Sequence, residues 1–168
     1  MSYPLTTHAE FTPLRGITGN ASACASQNAE TLTAEWQSNH QFIGMLNDYR
    51  SSGGLARAPD VALMCKSHGE ASVNALAEWI IKRKVVSFEW NARIWLPMFQ
   101  FNHVDMTRQP GLEDALSELV GACDDWEIAH WFSLPNPWLA DCTPADALAA
   151  AAPEVLKAAR AQRYVAVG

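Results

Sequence analysis

The sequence has no long apolar run, and no stretch approaches the roughly 20 residues that a membrane-spanning helix needs. Its first 20 residues also lack the basic and apolar regions of a secretory signal. Only four cysteines occur, Cys24, Cys65, Cys123 and Cys142, and their wide spacing suggests neither a disulfide framework nor a paired zinc motif. These absences predict a cytoplasmic protein with free thiols and no membrane contact.

Charge is also scarce: only 18% of residues are charged, and the formal net charge is -6. That charge is unevenly spread. Residues 50–93 hold seven basic and four acidic residues, a net +3, whereas residues 94–168 hold four basic and ten acidic residues, a net −6. The acidic total argues against a nucleic-acid coat. The basic middle is consistent with either a local DNA surface or an ordinary solvated face.

No phosphate-binding glycine loop, nucleophile elbow or complete metal motif is present. Three short histidine-containing pairs do occur, but a packed or solvated histidine is a simpler interpretation of each than a metal ligand or a catalytic group. We therefore predict a protein that is not an enzyme, with no catalytic residue, no metal site and no cofactor. Three pairs have suggestive spacing but no completing partner: Cys65 with His68, Glu127 with His130, and His103 with Asp105.

Apolar periodicity predicts a mainly α protein, in which a helix-turn-helix-like block with a short β-hairpin precedes a small helical bundle domain. Residues 1–28, rich in small and polar residues, are predicted to be a flexible arm. Residues 29–54 are predicted to form an N-terminal helix and linker, whose apolar stripe favours pairing into a homodimer. The helix-turn-helix-like, winged block is placed at 55–101 and the helical domain at 102–168.

Within the block, a short helix near Pro59 and a second helix at 70–82 are predicted, with a turn at His68 and Gly69 between them. A hairpin follows, with strands at 85–88 and 93–96. Promoter DNA is a candidate partner for this block, although the two helices are equally consistent with packing alone. The candidate DNA contacts are Ser72, Asn74, Lys82, Arg83, Lys84 and Arg93.

The last third predicts helices after Pro110 and after Asp124, then a break at Leu134–Pro137. Thr143 and Pro144 are typical of a helix start, and Pro153 is predicted to begin the last helix. We expect Trp131 to be buried and Trp138 to be partly exposed. The apolar tail at 164–168 either packs back on the domain, stays mobile or inserts into a partner.

Four segments, at 96–101, 131–139, 143–148 and 155–159, resemble in order the motifs of the MbcA/ParS/Xre-type antitoxins. The resemblance covers 94–163 well and 55–93 loosely. It implies a C-terminal domain that binds a cognate toxin, often one that consumes NAD, and an upstream domain that binds the promoter as a dimer. It also implies that the C-terminal end reaches toward the toxin's active-site entrance.

Carried over by position, the resemblance implies a non-enzymatic antitoxin that occludes its toxin. The alternative is a DNA-binding transcriptional regulator whose C-terminal domain only oligomerises. The family's usual glycine after the Pro-Asn turn is replaced here by Ala140-Asp141-Cys142. The residues implied to build the structural turn are Trp131, Pro135, Asn136, Pro137, Leu139, Pro144 and Leu148. The toxin-binding candidates are Trp138, Arg160, Arg163, Tyr164, Val165 and Val167.

Overall fold

A computed structural model describes the backbone of residues 21–67 and 70–168, and the side chains of residues 32–67 and 73–168. Helices dominate the described residues, and three short strands form one antiparallel sheet. The mainly helical composition with a small β element is therefore confirmed. No described helix is long and apolar enough to cross a membrane. The chain divides into two compact units, Met1–Asn39 and His40–Gly168.

The first helix, α1 (Ala21–Asp48), begins inside the range predicted to be a flexible arm. Residues 21–25 are mainly alanine, and the high helix propensity of alanine explains a start without apolar periodicity. Residues 1–20 of the predicted arm lie outside the described residues. In the first unit, the side chains of Leu32 and Trp36 are mostly exposed. In the second unit, Phe42 and Met45 are buried in the core.

The block after α1 runs β1 (Leu55–Arg57), α2 (Ala58–Lys66), α3 (Glu70–Ile81), β2 (Phe88–Trp90) and β3 (Arg93–Pro97). The strand order is β1-β3-β2, with both pairs antiparallel. The sequence did not predict β1, because three residues are too few to show a strand's alternation. The predicted turn between α2 and α3 lies outside the described residues.

The hairpin exists, but its predicted first strand is displaced. The strand β2 starts at Phe88, and the preceding Val85 and Val86 are buried core residues outside the sheet. Its loop is only two residues long, Asn91 and Ala92, with φ of 49° and 55°. Positive φ at both loop positions matches the right-handed twist of a hairpin and allows the short connection.

The remaining helices are α4 (Leu112–Leu119), α5 (Asp125–Ser133) and α6 (Pro144–Val167), with 3₁₀ turns at Met98–Gln100 and Pro137–Leu139. The predicted helix starts are confirmed at α4, α5 and α6. The predicted helix start at Pro153 is confirmed, because α6 consists of two helices that meet in a kink at Ala151 (φ −140°, ψ 44°), two residues before Pro153. Because proline cannot donate a backbone hydrogen bond, the ladder is broken at this point.

The predicted N-terminal caps of α5 and α6 are both confirmed by side-chain hydrogen bonds. The Asp124 side chain accepts from the Glu127 backbone N–H, and the Glu127 side chain accepts from the Asp124 N–H, which completes a capping box. The Thr143 hydroxyl accepts from the Asp146 N–H at the start of α6. These caps fix where α5 and α6 begin.

Aromatic contacts join α1, the hairpin and α5 into one core. The Phe42 ring stacks on Trp90 with centroids 3.8 Å apart, and Phe88 meets Trp126 edge-on at 5.1 Å. The Tyr49 hydroxyl donates to the carbonyl oxygen of Ala129 in α5. Burial first, and then the nearby Asp48, raise the pKa of Tyr49 well above its usual value, so this phenol stays protonated and can donate.

Gln100 is a fully buried polar side chain in this core. Its Oε1 accepts the Val86 N–H at 2.7 Å, and its Nε2 donates to the carbonyl oxygens of Val86 at 2.8 Å and Pro97 at 2.9 Å. The amide therefore replaces a strand partner for Val86, which lies just before β2. Gln100 therefore links Val86, in the segment that precedes the hairpin, to Pro97 at the end of β3.

Candidate functional site

The three consecutive cations predicted to contact DNA are all engaged within the chain. Each lies within salt-bridge distance of a carboxylate. Exposed pairs of this kind contribute only about 0–1 kcal/mol, but they lower the positive potential available to phosphates. The pairs are Lys82 with Glu78, Arg83 with Asp125 at 2.6 Å, and Lys84 with Glu113 at 2.8 Å.

Arg83 has contacts beyond its ion pair. Its guanidinium also donates to the carbonyl oxygens of Val120 at 3.0 Å and Cys123 at 3.4 Å, immediately after α4. A cation at this end of a helix balances the negative end of the helix dipole. The Arg83 backbone has φ 51°, in the left-handed region that favours glycine. Arg83 therefore acts as a structural clamp between the end of α3 and the α4–α5 turn.

We expect Arg83→Ala to lower the free energy of unfolding by about 1–2 kcal/mol, because the freed carbonyls lose a charged donor. Arg83→Gly should lose about 1 kcal/mol less than Arg83→Ala, since glycine adopts the left-handed conformation without strain. Urea unfolding followed by circular dichroism measures both variants. The clamp would be refuted if the Arg83→Ala protein were as stable as the wild type, or if Arg83→Gly were less stable than Arg83→Ala.

The other DNA candidates do not form one basic surface. Asn74 is exposed on α3, and the side chain of Ser72 lies outside the described residues. Arg93 is exposed at the start of β3, beside a shallow groove of about 430 Å³ that Arg57 also lines. Arg57 is paired with Asp60 at 2.7 Å. Arg93 is thus the strongest remaining candidate for contact with a phosphate.

A network around Asn136 builds the Pro-Asn-Pro turn. The Asn136 side-chain oxygen accepts from the Trp138 N–H at 2.9 Å, and its backbone N–H donates to the Cys142 carbonyl at 3.0 Å. Its backbone carbonyl accepts from the N–H groups of Leu139 and Asp141. The side chain and backbone of Asn136 together therefore make four of the turn's hydrogen bonds.

The residues after the turn have the backbone that a glycine would favour. Ala140 has φ 53° and Asp141 has φ 62°, both in the left-handed region. Of the predicted turn residues, Leu139, Pro144 and Leu148 are buried, whereas Pro135 and Pro137 are exposed.

The two tryptophans flanking the turn differ in exposure. We expected Trp131 to be buried, but it is only half-buried, because its side chain lines an open groove. Trp138 is 70% exposed and stands over a second groove of about 470 Å³. Exposure of so large an apolar side chain is costly unless something covers it, so Trp138 is a candidate contact residue.

The end of α6 is anchored and then left uncovered. Arg160 pairs with Glu118 of α4 at 3.0 Å, and Arg163 pairs with the same carboxylate at 2.5 Å. The Glu118 side chain is only 14% exposed, so both guanidinium groups converge on a nearly buried acid. The helix continues through Val167, and Ala166 lines a groove together with Trp131 and Gln162. Three of the last side chains are mostly exposed. They are exposed as follows: Tyr164 81%, Val165 75% and Val167 73%.

A groove of about 520 Å³ separates α5 from the end of α6, and it is lined by His130, Trp131 and Gln162 among others. Cys123 lies at the rim, where burial first, and then Glu127 and Asp124, raise the pKa of its thiol. A thiol with a raised pKa is a weak nucleophile at neutral pH. The groove therefore provides a surface for contact, and its cysteine is not activated.

The three suggestive pairs form no reactive site among the described residues. Cys65 is fully buried, and burial raises the pKa of its thiol, while His68 lies outside the described residues. Glu127 is used in the helix cap, and Asp105 accepts from Thr107. In the described part of the chain, no three His, Cys, Asp or Glu side chains are grouped to hold a metal ion.

Sequence reasoning missed Glu118, which holds the end of α6. Arg160 lies 42 residues away in the chain, so no local pattern links the pair. The one available signal was the spacing of Arg160 and Arg163, which places both cations on one face of a helix. A shared acid on another element could be expected from that, but not located.

No known protein family, characterised protein or solved structure matches this chain. What the protein does must therefore be inferred from its own residues.

Proposed function

We propose that this chain is an antitoxin-like, non-enzymatic protein that binds a partner toxin and occludes the toxin's active-site cleft with the end of α6. The observation that carries the proposal is the exposure of Tyr164, Val165 and Val167 at the end of a helix. Transfer of each such side chain from water into a cleft contributes about 1.5–3 kcal/mol. An apolar helix end that its own chain leaves uncovered fits a partner's cavity.

The anchoring of α6 supports the same function. Two ion pairs to Glu118 hold the helix up to Arg163, so its end is presented in an ordered form. A pre-ordered segment loses less conformational entropy on binding. Arginine, tyrosine and tryptophan are enriched in the energetic centres of protein interfaces. The order of the antitoxin-like motifs favours a toxin as the partner, and the free thiols favour the cytoplasm as its location.

We expect Tyr164→Asp to reduce capture of the partner from the native host at least about tenfold, because a carboxylate would have to be buried in an apolar contact. Ile81→Asp is the matched control, since Ile81 is equally exposed at 81% but lies at the end of α3. Tagged proteins would be compared by affinity purification and quantitative mass spectrometry. Equal capture by wild type and Tyr164→Asp would contradict occlusion by this helix end.

A DNA-binding regulator is the second candidate function. It is favoured by the element order β1-α2-α3-β2-β3, in which two consecutive helices precede a β-hairpin, and by exposed Arg93 on that hairpin. The paired state of Lys82, Arg83 and Lys84 weighs against it. Promoter binding that is steeply salt-dependent and lost in Arg93→Gln would favour the regulator.

A further inference from the structure

The groove beside Trp138 and the end of α6 are complementary in chemistry. We propose that the end of α6 from a second copy of this chain docks into the groove beside Trp138, which gives a head-to-tail assembly. This inference concerns self-association and does not rest on the proposed toxin partner. It uses two surfaces that the described chain leaves uncovered.

The groove is built to accept a helix end. Its floor includes the small side chains Ala147, Ala150 and Ala151, which permit a close approach. Its wall is the Trp138 indole, and a 2.9 Å hydrogen bond from the Trp138 backbone N–H to the Asn136 side chain holds the backbone from which the indole projects. An aromatic wall over an alanine floor can cover apolar side chains.

The acidic side chains of the groove indicate that its occupant carries positive charge. Asp146 and Glu154 line the groove, and no lysine or arginine lines it. Glu154 is compensated by Lys157 at 2.8 Å, whereas the Asp146 carboxylate accepts from the neutral Thr143 hydroxyl and has no ion-pair partner among the described residues. The groove is therefore apolar with an acidic rim. It fits an apolar segment that carries cations.

The end of α6 has that composition, with Arg160 and Arg163 followed by Tyr164, Val165 and Val167. Both guanidinium groups remain more than half exposed beside Glu118. An arginine placed over the Trp138 face would add a cation–π contact. Basic and apolar groups on the helix end thus match the acidic and apolar groups of the groove.

The end of this chain's own α6 cannot fill the groove, because the groove lies beside the kink at Ala151 and the helix leads away from it. At a rise of 1.5 Å per residue, Ala152 and Val165 are separated by roughly 20 Å. The contact joins two different surfaces and is therefore heterologous, so it generates rings or open chains. It also makes self-association and binding of a partner by the same helix end mutually exclusive.

The test is a complementation experiment by analytical ultracentrifugation of the full chain at up to roughly 100 µM, which detects micromolar dissociation constants. Trp138→Ala removes the groove wall, and the double variant Tyr164→Asp/Val167→Asp removes the docking end. We expect the wild type to associate with rising concentration, and each variant to associate at least about 30-fold more weakly. Mixed together, the two variants should form a one-to-one dimer, because one intact groove and one intact helix end remain.

Ile81→Ala is the control and should associate like the wild type, since Ile81 lies at the exposed end of α3 and belongs neither to the groove beside Trp138 nor to the end of α6. Restoration in the mixture also shows that both variants are folded, which circular dichroism checks separately. A wild type that stays monomeric throughout overturns the proposal. So does association of Trp138→Ala equal to wild type, or a mixture of the two variants that remains monomeric.

Discussion

Gln100→Leu is expected to destabilise the protein by about 3–5 kcal/mol, because three buried hydrogen bonds are lost while the side-chain volume is kept. The N–H and carbonyl of Val86 and the carbonyl of Pro97 would each lose the Gln100 amide. Gln100 is fully buried, and Val86 is 1% exposed, so water cannot replace the missing partner. The loss is a large share of the roughly 5–15 kcal/mol typical of a domain.

Urea unfolding monitored by circular dichroism measures this loss. Gln41→Leu is the matched control, because Gln41 is exposed and should change stability by less than about 0.5 kcal/mol. A Gln100→Leu protein within about 1 kcal/mol of wild type would mean that the amide is not the tie we infer.

Gln100→Glu provides a second, pH-dependent arm of the same test. Burial and the facing carbonyls of Val86 and Pro97 would raise the pKa of the new carboxyl above its unfolded value of about 4.3. The folded state then keeps a proton that the unfolded state has lost. Stability should therefore be highest at acidic pH and fall as pH rises through the folded-state pKa. Gln100→Leu should show no such fall relative to wild type.

Gly111→Ala is expected to destabilise the protein by about 2–4 kcal/mol, from backbone strain and a steric clash together. Gly111 caps α4 with φ 80°, which L side chains rarely adopt. A Cβ at this position would lie 2.5 Å from the Cβ of Ala152, beside the interruption in α6. Since α4 and α6 pack together there, one of the two helices would have to shift.

Thermal and urea unfolding measure the effect, and two further variants separate its causes. Gly121→Ala is the control, because no atom lies within 4 Å of a Cβ built there. Ala152→Gly in the Gly111→Ala background removes the colliding Cβ and should recover about 1–2 kcal/mol, leaving the strain of the positive φ. A Gly111→Ala protein no less stable than Gly121→Ala would show that α4 and α6 are not closely packed at this point.

The elements that were predictable carry their signals locally. Asp124 with Glu127, and Thr143 with Pro144, fix helix starts through contacts within four residues, so the sequence alone shows them. The apolar spacing of α3 identifies its buried face in the same way, and Leu76 is in the core. Local signals therefore predicted helices well.

The features that were missed depend on distant residues or on backbone geometry. The strand β1 exists because β3 pairs with it, and a three-residue segment shows no pattern by itself. The short hairpin loop depends on positive φ at Ala92. Alanine rarely adopts positive φ, so the sequence gives no sign of this turn. Arg83 has the composition of a DNA contact, but its partner carbonyls lie 37 and 40 residues further on.

The candidate site was predicted in part. The C-terminal residues Tyr164, Val165 and Val167 were named from their position and apolar character, and they are exposed. Their anchoring by Glu118 could not be predicted, because it arises from the packing of α4 against α6. The groove beside Trp138 likewise depends on how the 139–142 turn seats against α6.

The most direct test of occlusion by α6 is photo-crosslinking in the native host. A benzophenone amino acid would replace Tyr164 in one protein and Ile81 in a matched one, since both side chains are 81% exposed. We predict one major crosslinked protein, other than this chain itself, from position 164 and not from position 81, with the linked peptide at that protein's active-site entrance. Crosslinks from position 164 only to another copy of this chain, or the same set of proteins from both positions, would contradict the proposed function.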